Sequence, residues 1–336
     1  MADVAQKSRL PRHEFVYLIF SYGKAEQLFR LIQTLRAGSP DSAILLHHDA
    51  KGEPLDEKAL HELGSIYMVE PRIFVQWGDA TQLDALLGSI NYALQNLDFS
   101  WLSVLSAHDY PLRPLATIEA ELRGSPYDAF VRAAPAPAQY RGRYYLQYWP
   151  LPRFRYAYRL PRPVLSAMAW LRGEFNRRQS LLRIEGGPRG TARRLGIRAL
   201  SQPFSNDFVC FKGSDWFTLS RRAVDYLATF SQNRPEVLEH YRRTFIPSES
   251  YYQTVLCNAK ELKICDDNRR FIVWEAARSH PKTLTIHDLD VMVQSGKDWG
   301  RKFDTTVDST VLDALDRIVL GSPPERTTAQ HPSSGY

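Results

Sequence analysis

The sequence predicts an α/β fold, a Rossmann-like sheet flanked by helices, and three observations predict it. Short apolar segments hand over to amphipathic helical patterns four times within about the first 120 residues. Those apolar segments are continuous and not alternating, as expected for strands buried on both faces of a parallel sheet. Each ends in a polar cluster, which sets these clusters along the carboxyl edge of the sheet, where open α/β folds bind ligands. Neither G-x-G-x-x-G nor G-x-x-x-x-G-K-[ST] occurs, which disfavours dinucleotide oxidoreductases and P-loop NTPases.

Residues 1–12 are polar and read as a mobile tail. The first strand, 15–20 (F-V-Y-L-I-F), ends at Ser21, Tyr22 and Gly23. Over 25–37, Leu28, Leu31, Ile32 and Leu35 recur at helical spacing, with Gly38 as the stop. A second strand, 43–46, runs into His47, His48, Asp49, Ala50, Lys51 and Gly52. Asp49 is therefore a candidate for hydrogen bonding to a base or ribose, or else a turn aspartate before Lys-Gly. His47 and His48 lack a third ligand at metal spacing. A third strand is predicted over 73–76, reaching Trp77 and Gly78, followed by a helix over 80–97 with Leu83, Leu86, Leu87, Ile90 and Leu94 on its apolar face. The next strand, 101–105, ends in S-A-H-D-Y-P-L-R, so Asp109 lies just past a strand tip, before Pro111.

Composition shifts over residues 141–198, which hold 14 arginines against only Glu174 and Glu185, with aromatics interleaved. The segment reads as an insertion. Within it, 163–184 fits an amphipathic helix burying Val164, Leu165, Met168, Leu171 and Phe175, with Arg172, Arg177 and Arg178 on the other side. Such a helix packs on its domain with a solvated basic face, or lies on an anionic ligand or membrane. A strand over 208–211 leads to Lys212, Gly213, Ser214, Asp215 and Trp216, and a further strand over 217–219 precedes a helix carrying Arg221 and Arg222.

Residues 245–256, F-I-P-S-E-S-Y-Y-Q-T-V-L, place Glu249 at the mouth of a helix whose buried face carries Tyr251, Tyr252, Val255 and Leu256. A carboxylate there suits a general base and equally a plain N-terminal charge. A last strand is predicted over 271–274. Asp288-Leu289-Asp290 spells D-x-D, a metal-binding string in many nucleotide-sugar enzymes, but it follows no early strand of the nucleotide half, and Asp288 reads as a helix cap. Arg301 and Lys302 are adjacent cations ahead of a closing helix over 311–319, and 321–336 reads as a disordered tail.

The 336 residues carry a net charge of +6 and a pI near 9.1, which favours anionic partners without choosing among them. Cys210, Cys257 and Cys265 form no C-x-x-C pair, which disfavours a disulfide framework and a zinc knuckle and fits a reducing compartment. No apolar run reaches transmembrane length and the first residues lack a signal-peptide core, so the expectation is a soluble, cytoplasmic protein, peripheral to a membrane at most.

Seven segments in order, H-H-D-A-K, W-G-D-A-T, S-A-H-D-Y-P-L-R, G-S-D-W-F-T-L-S-R-R, I-P-S-E-S-Y-Y-Q-T-V-L, D-N-R-R-F-I-V-W and G-R-K-F-D, resemble the core-2/I-branching N-acetylglucosaminyltransferase and peptide O-xylosyltransferase family. The resemblance covers most of residues 15–320. It implies one large GT-A domain over 13–320, with 141–198 inserted, that transfers a sugar from a UDP donor with inversion and without a metal or other cofactor. Xylose and N-acetylglucosamine are the sugars it suggests, with a glycan or protein hydroxyl as acceptor and no nucleic acid as partner. In that family the P-x-E carboxylate is the catalytic base, which makes Glu249 the base here. By the same resemblance Arg301 and Lys302 meet the diphosphate, Asp49 the uracil, and Trp274 the acceptor sugar. Trp77, Asp109 and Trp216 fall on signature positions whose roles the sequence leaves open, and Arg278 stands one residue out of register with a further phosphate-binding arginine. The alternative is a catalytically inactive nucleotide-sugar or anionic-surface binding protein of the same fold.

Overall fold

The structure, a computed structural model, describes residues 10–136, 142–151, 161–178, 180–186, 193–275 and 280–321. Residues 1–9 of the expected N-terminal tail, residues 322–336 of the C-terminal one, and Arg278 lie outside them. The early strands are β1 (Phe15–Ser21), β2 (Ala43–His48), β3 (Ile66–Met68) and β4 (Trp101–Ser106). β1 pairs in parallel with β2 and with β4, and β2 with β3. β1, β2 and β4 are buried almost throughout, which is why their sequences run apolar without alternation.

The chain continues through β5 (Asp109–Pro111), β6 (Ala129–Phe130), β7 (Ala133–Pro135), β8 (Leu146–Pro150), β9 (Leu182–Glu185), β10 (Arg194–Arg198), β11 (Phe211–Gly213), β12 (Thr218–Ser220), β13 (Ile264–Cys265), β14 (Arg270–Ile272) and β15 (Trp299–Arg301). Seven strands make the central mixed sheet, in the order β13-β6-β12-β4-β1-β2-β3, with β12 antiparallel to both its neighbours. Because strand side chains alternate, Val16 and Leu18 face a core built with Leu83, Leu86 and Ile90 of the helix Ala80–Asn96, while Phe15, Tyr17 and Ile19 face Leu28, Leu31, Leu312 and Leu315 of the helices Ala25–Gly38 and Thr310–Leu320. The result is one α/β domain with a Rossmann-like sheet between two helical layers.

Three smaller sheets hang from this core. β14, β15 and β5 form one that carries Asp109 and Arg301, β11 and β7 form a two-stranded ribbon, and β8, β10 and β9 form an antiparallel sheet within the basic segment.

Several expected elements move. Residues 73–76 are irregular, and the third strand is Ile66–Met68, preceded by a short helix, Glu57–Glu62, that the sequence reading missed. The apolar run 73–76 instead crosses above the end of β2, where the Ala50 amide donates to Ile73 O and the Lys51 ammonium to Val75 O. The strands predicted over 208–211 and 271–274 form over Phe211–Gly213 and Arg270–Ile272. In the basic segment the helix is Arg162–Arg178, shorter than predicted, and β9 follows it. The expected burial of its apolar stripe does not occur at Val164, Met168, Leu171 and Phe175, which all remain exposed; the Leu165 side chain lies outside those described.

Candidate active site

A cleft of about 810 Å³ opens along the carboxyl ends of β1, β2 and β4, within the size range of small-molecule sites. One end is built by the turn after β2. Asp49 is buried, its Oδ1 accepts from the Lys51 amide at 3.0 Å, and its Oδ2 lies 3.4 Å from the Lys51 ammonium. That ammonium sits over the rings of Tyr22 (5.1 Å) and Phe74 (5.2 Å), both exposed. The turn-aspartate reading holds for Oδ1, which closes the turn, and the residue also lines the cleft. His47, also on the wall, is held neutral chiefly by burial. No group of three or more His, Cys, Asp or Glu side chains among the described residues is arranged to hold a metal ion.

In the middle of the cleft, the wall residues Ser106 and Trp216 hold Arg301. Its Nη1 donates to Ser106 Oγ at 2.5 Å and to Asp109 Oδ1 at 2.7 Å, and its guanidinium lies 4.1 Å from the centroid of the Trp216 ring. Asp109 is fully buried, and its Oδ2 accepts from the Ser106 amide at 2.7 Å. So two of the three signature positions whose roles the sequence left open, Asp109 and Trp216, form a clamp around one cation. A planar guanidinium suits this geometry because it can stack on an indole while donating in its plane. Beside it, His108 lines the cleft with Nδ1 3.0 Å from Phe303 O, and burial holds its pKa low. Lys302 is half-buried and forms no ion pair with another described residue; its carbonyl accepts from the Leu284 amide.

At the other end Asp215 and Ser248 line the cleft, and the Glu249 carboxylate lies next to Asp215. Glu249 ends a single 3-10 turn, Pro247–Glu249, and the α-helix begins only at Tyr251–Cys257. The expected helix mouth is thus displaced by a turn, and Ser248 caps nothing: its buried Oγ makes no hydrogen bond, although the hydroxyl lies close enough to lower the Asp215 pKa. Tyr251, Tyr252, Val255 and Leu256 are all buried, as their spacing predicts. Ile246, just upstream, has φ 56°, a left-handed conformation that a β-branched residue adopts only under strain, and strain of this kind clusters at functional sites. Gly78 meets the same loop: its φ is +78°, and a Cβ there would sit 2.8 Å from the Phe245 ring. Trp77 lines the cleft and packs edge-on against Phe245.

Asp215 is the second carboxylate, and sequence reasoning passed over it. It lines the cleft, and its Oδ2 accepts from Gln82 Nε2 at 2.9 Å. Burial, then the Glu249 carboxylate, pushes its pKa up to about 7, against the opposing pull of Ser248, Arg301 and Gln82. Asp215 precedes Trp216 in a string that reads as a strand-to-turn transition, so its adjacency to Glu249 has no local signal. Around Glu249 the Lys212 ammonium stands 3.5 Å away. The basic segment contributes as well: burial and then Glu249 hold the Tyr144 phenol far above its ordinary value, and Glu249 is among the groups that raise the pKa of the half-buried Arg143. Tyr148 packs on Phe245, and its amide donates to Arg243 O at 2.7 Å. Leu146, Tyr148, Phe245 and Ile246 form their own apolar cluster beneath the loop.

Trp274 is 63% exposed and is not part of the cleft wall. Asp288 caps, but backward: its carboxylate accepts from the Thr285 amide and from Lys282 Nζ, closing the preceding 3-10 turn and leaving the helix Leu289–Gln294 without a side-chain cap.

Residues 15–293 match the family model described as Core-2/I-Branching enzyme. Over 125 residues, 36% of the chain and 28% of the relative, the sequence is 37% identical to beta-glucuronosyltransferase GlcAT14A of Arabidopsis thaliana. GlcAT14C of the same plant is 27% identical across 95% of the chain and 77% of its own length. Xylosyltransferase 1 of Canis lupus familiaris is 24% identical across 93% of the chain, which spans 31% of that protein. With most of its length matched by the family model, the chain belongs to the Core-2/I-branching enzyme family.

Proposed function

We propose that this chain is an inverting GT-A glycosyltransferase that moves a neutral sugar from a UDP donor to a hydroxyl of a glycan or peptide. The observation that carries the reading is the order of groups along one cleft: Asp49 on its wall, then Ser106 and Trp216, which hold Arg301 behind them, then Asp215, with Glu249 next to it. A nucleoside diphosphate sugar presents an imide and ribose, two phosphates and a pyranose in that same order. Asp49 accepts from the uracil, Arg301 and Lys302 meet the diphosphate, and the sugar lies toward the carboxylates.

In the reaction the acceptor oxygen attacks the anomeric carbon, its proton passes to Glu249, and the anomeric C–O bond breaks with its electron pair leaving on UDP. A positioned general base contributes ~10²–10⁴ in rate. Charge-assisted bonds from Arg301 and Lys302 stabilise the charge that develops on the departing diphosphate, the electrostatic work a resident metal does in other transferases. Asp109 and Trp216 position Arg301 and have no contact with the reacting atoms in this scheme. Trp274, exposed beyond the cleft wall, offers a ring face to the acceptor sugar.

The two carboxylates at the sugar end favour a neutral sugar over glucuronate, whose carboxylate they would repel, so UDP-xylose is the first donor and UDP-N-acetylglucosamine the second. Three cysteines without a disulfide fit a reducing, cytoplasmic setting. UDP release measured across UDP-xylose, UDP-N-acetylglucosamine and UDP-glucuronic acid, with wild type and Glu249→Gln, tests the reading. Turnover with a neutral donor, lost in Glu249→Gln while UDP affinity by calorimetry stays within a few-fold, is the expected result. Near-normal turnover in the variant removes Glu249 from the mechanism, and UDP binding without turnover on any donor makes the chain a binding protein.

A further inference from the structure

The antiparallel sheet β8-β10-β9 has two unlike faces. Side chains directly opposite in an antiparallel pair share a face. The register therefore puts Leu146, Tyr148, Gly196 and Arg183 on one side and Trp149, Leu182, Ile184, Leu195 and Ile197 on the other. The first side packs under the Glu249 loop through Leu146 and Tyr148; Gly196 permits it, since a Cβ there would sit 2.6 Å from the Tyr148 ring. The second side is apolar and faces away. The helix Arg162–Arg178 covers it in part, tied by Asn176, whose side chain bonds both the Ile184 amide and its carbonyl.

Cover is incomplete. Between helix and sheet runs a groove of about 370 Å³, with Met168, Leu171, Phe175 and Ile184 as its apolar lining and Arg172 and Arg193 at its edge. Trp170 is 64% exposed, Leu171 59% and Leu181 63%, with Trp149, Leu182 and Ile197 exposed beside them. A soluble domain rarely leaves so many large apolar side chains together on its surface without an interaction partner. The charge around them is one-sided: the helix holds Arg162, Arg172, Arg177 and Arg178 against Glu174 alone, and the 141–198 segment holds 14 arginines against two glutamates. Arg177 and Arg178 both pair with Glu174 yet remain 71% and 78% exposed, free to exchange that partner for a phosphate.

We infer that this face docks on an anionic phospholipid bilayer, with Trp170, Leu171 and Leu181 entering the headgroup layer and the arginines meeting lipid phosphates. Apolar aromatic and leucine side chains flanked by arginine, on a helix too polar to span, are what an interfacial element requires. A protein groove partner of matching shape would have to be strongly acidic, whereas an anionic bilayer supplies negative charge and apolar depth at one surface. No helix among the described residues is long and apolar enough to cross a membrane, so the contact is peripheral. The docking face is the reverse of the sheet that supports Glu249, which sets the membrane on the base side of the cleft and leaves the Asp49 end away from it.

Flotation of the full chain with phosphatidylglycerol-containing vesicles at low salt, against pure phosphatidylcholine vesicles, tests this. Binding is expected only to the anionic vesicles and to weaken as salt rises. Each of Arg177→Gln and Arg178→Gln is expected to weaken it about fivefold, and the pair Trp170→Ala with Leu171→Ala by roughly tenfold. UDP binding serves as the fold control and is expected to be unchanged in all three variants. Absence of flotation at low salt overturns the inference, as does binding that survives the Trp170 and Leu171 changes. A lipid-free dimer that Trp170→Ala dissociates would assign the face to a second copy of the chain and overturn it equally.

Discussion

Asp215 and Glu249 show how a residue's chemistry is set by neighbours that the local sequence does not name. A carboxyl whose folded pKa is raised binds more protons in the native than in the unfolded state between about pH 4 and pH 7, so the stability it carries is present at low pH and falls as pH rises through that window. Asp215→Asn removes the titration. Melting temperatures of wild type and variant are expected to diverge from pH 5 to pH 8 in favour of the variant, and parallel curves would show that Asp215 ionises normally. The nucleotide end gives a paired prediction. Lys302→Met is expected to weaken UDP more than tenfold beyond its effect on uridine, the loss of about 1.5–3 kcal/mol for a charged hydrogen bond. Asp49→Asn is expected to weaken both ligands by similar factors, since the uracil is common to them. Calorimetric titrations showing equal losses of UDP and uridine for Lys302→Met would place that lysine in the fold and not at the diphosphate. Glu249, Asp49, Arg301 and Lys302 stood out as candidates because each sits in a short motif; Asp215 did not, because its perturbation comes from a residue on another element.

Among the elements, the loop carrying Glu249 is held from two sides, by Gly78 and Trp77 and by the sheet of the basic segment. Ile246 keeps its left-handed backbone because Phe245, Tyr148 and Leu146 surround it and its amide donates to Gly78 O. Tyr148→Ala deletes the ring that packs on Phe245 and should cost about 3 kcal/mol of stability, as other large-to-small core changes do. Turnover is expected to fall by a larger factor than UDP affinity, because in the proposed mechanism the loop positions the base while the nucleotide rests on β1, β2 and β4. Denaturant melts combined with UDP titration and steady-state rates check this, and equal losses in both would mean that the segment supports the whole cleft. The sequence showed the segment as a change of composition. It did not show that one face of it supports the catalytic loop, because that depends on pairing between strands far apart in the chain.

For the whole molecule, the cleft draws on three sheets: the central one for the nucleotide end, the β14-β15-β5 sheet for Arg301, and the β8-β10-β9 sheet behind the base. In the proposed mechanism the cation pair takes the place usually filled by a metal, and the D-x-D carboxylate Asp288 is engaged by Lys282 and Thr285. Sugar transfer is therefore expected to persist in excess EDTA, measured as product formed after dialysis against the chelator. Loss of transfer that manganese restores would show that a metal binds and would reject the cation-pair mechanism.

The sequence by itself determined the strand-helix alternation, the parallel start of the sheet and the residues at its carboxyl edge, because continuous apolar runs, helical spacing and polar strand ends are local properties. It also determined which short motifs carry the candidate base and cations. Only the tertiary structure decided that residues 73–76 form a cleft wall and not a strand, since an apolar run is compatible with either and the β2 edge was taken by Ile66–Met68. The same holds for the clamp of Asp109 and Trp216 on Arg301 and for the exposure of the stripe on Arg162–Arg178. Both depend on which distant surfaces meet, and periodicity along one helix states only that a face is apolar, not what covers it.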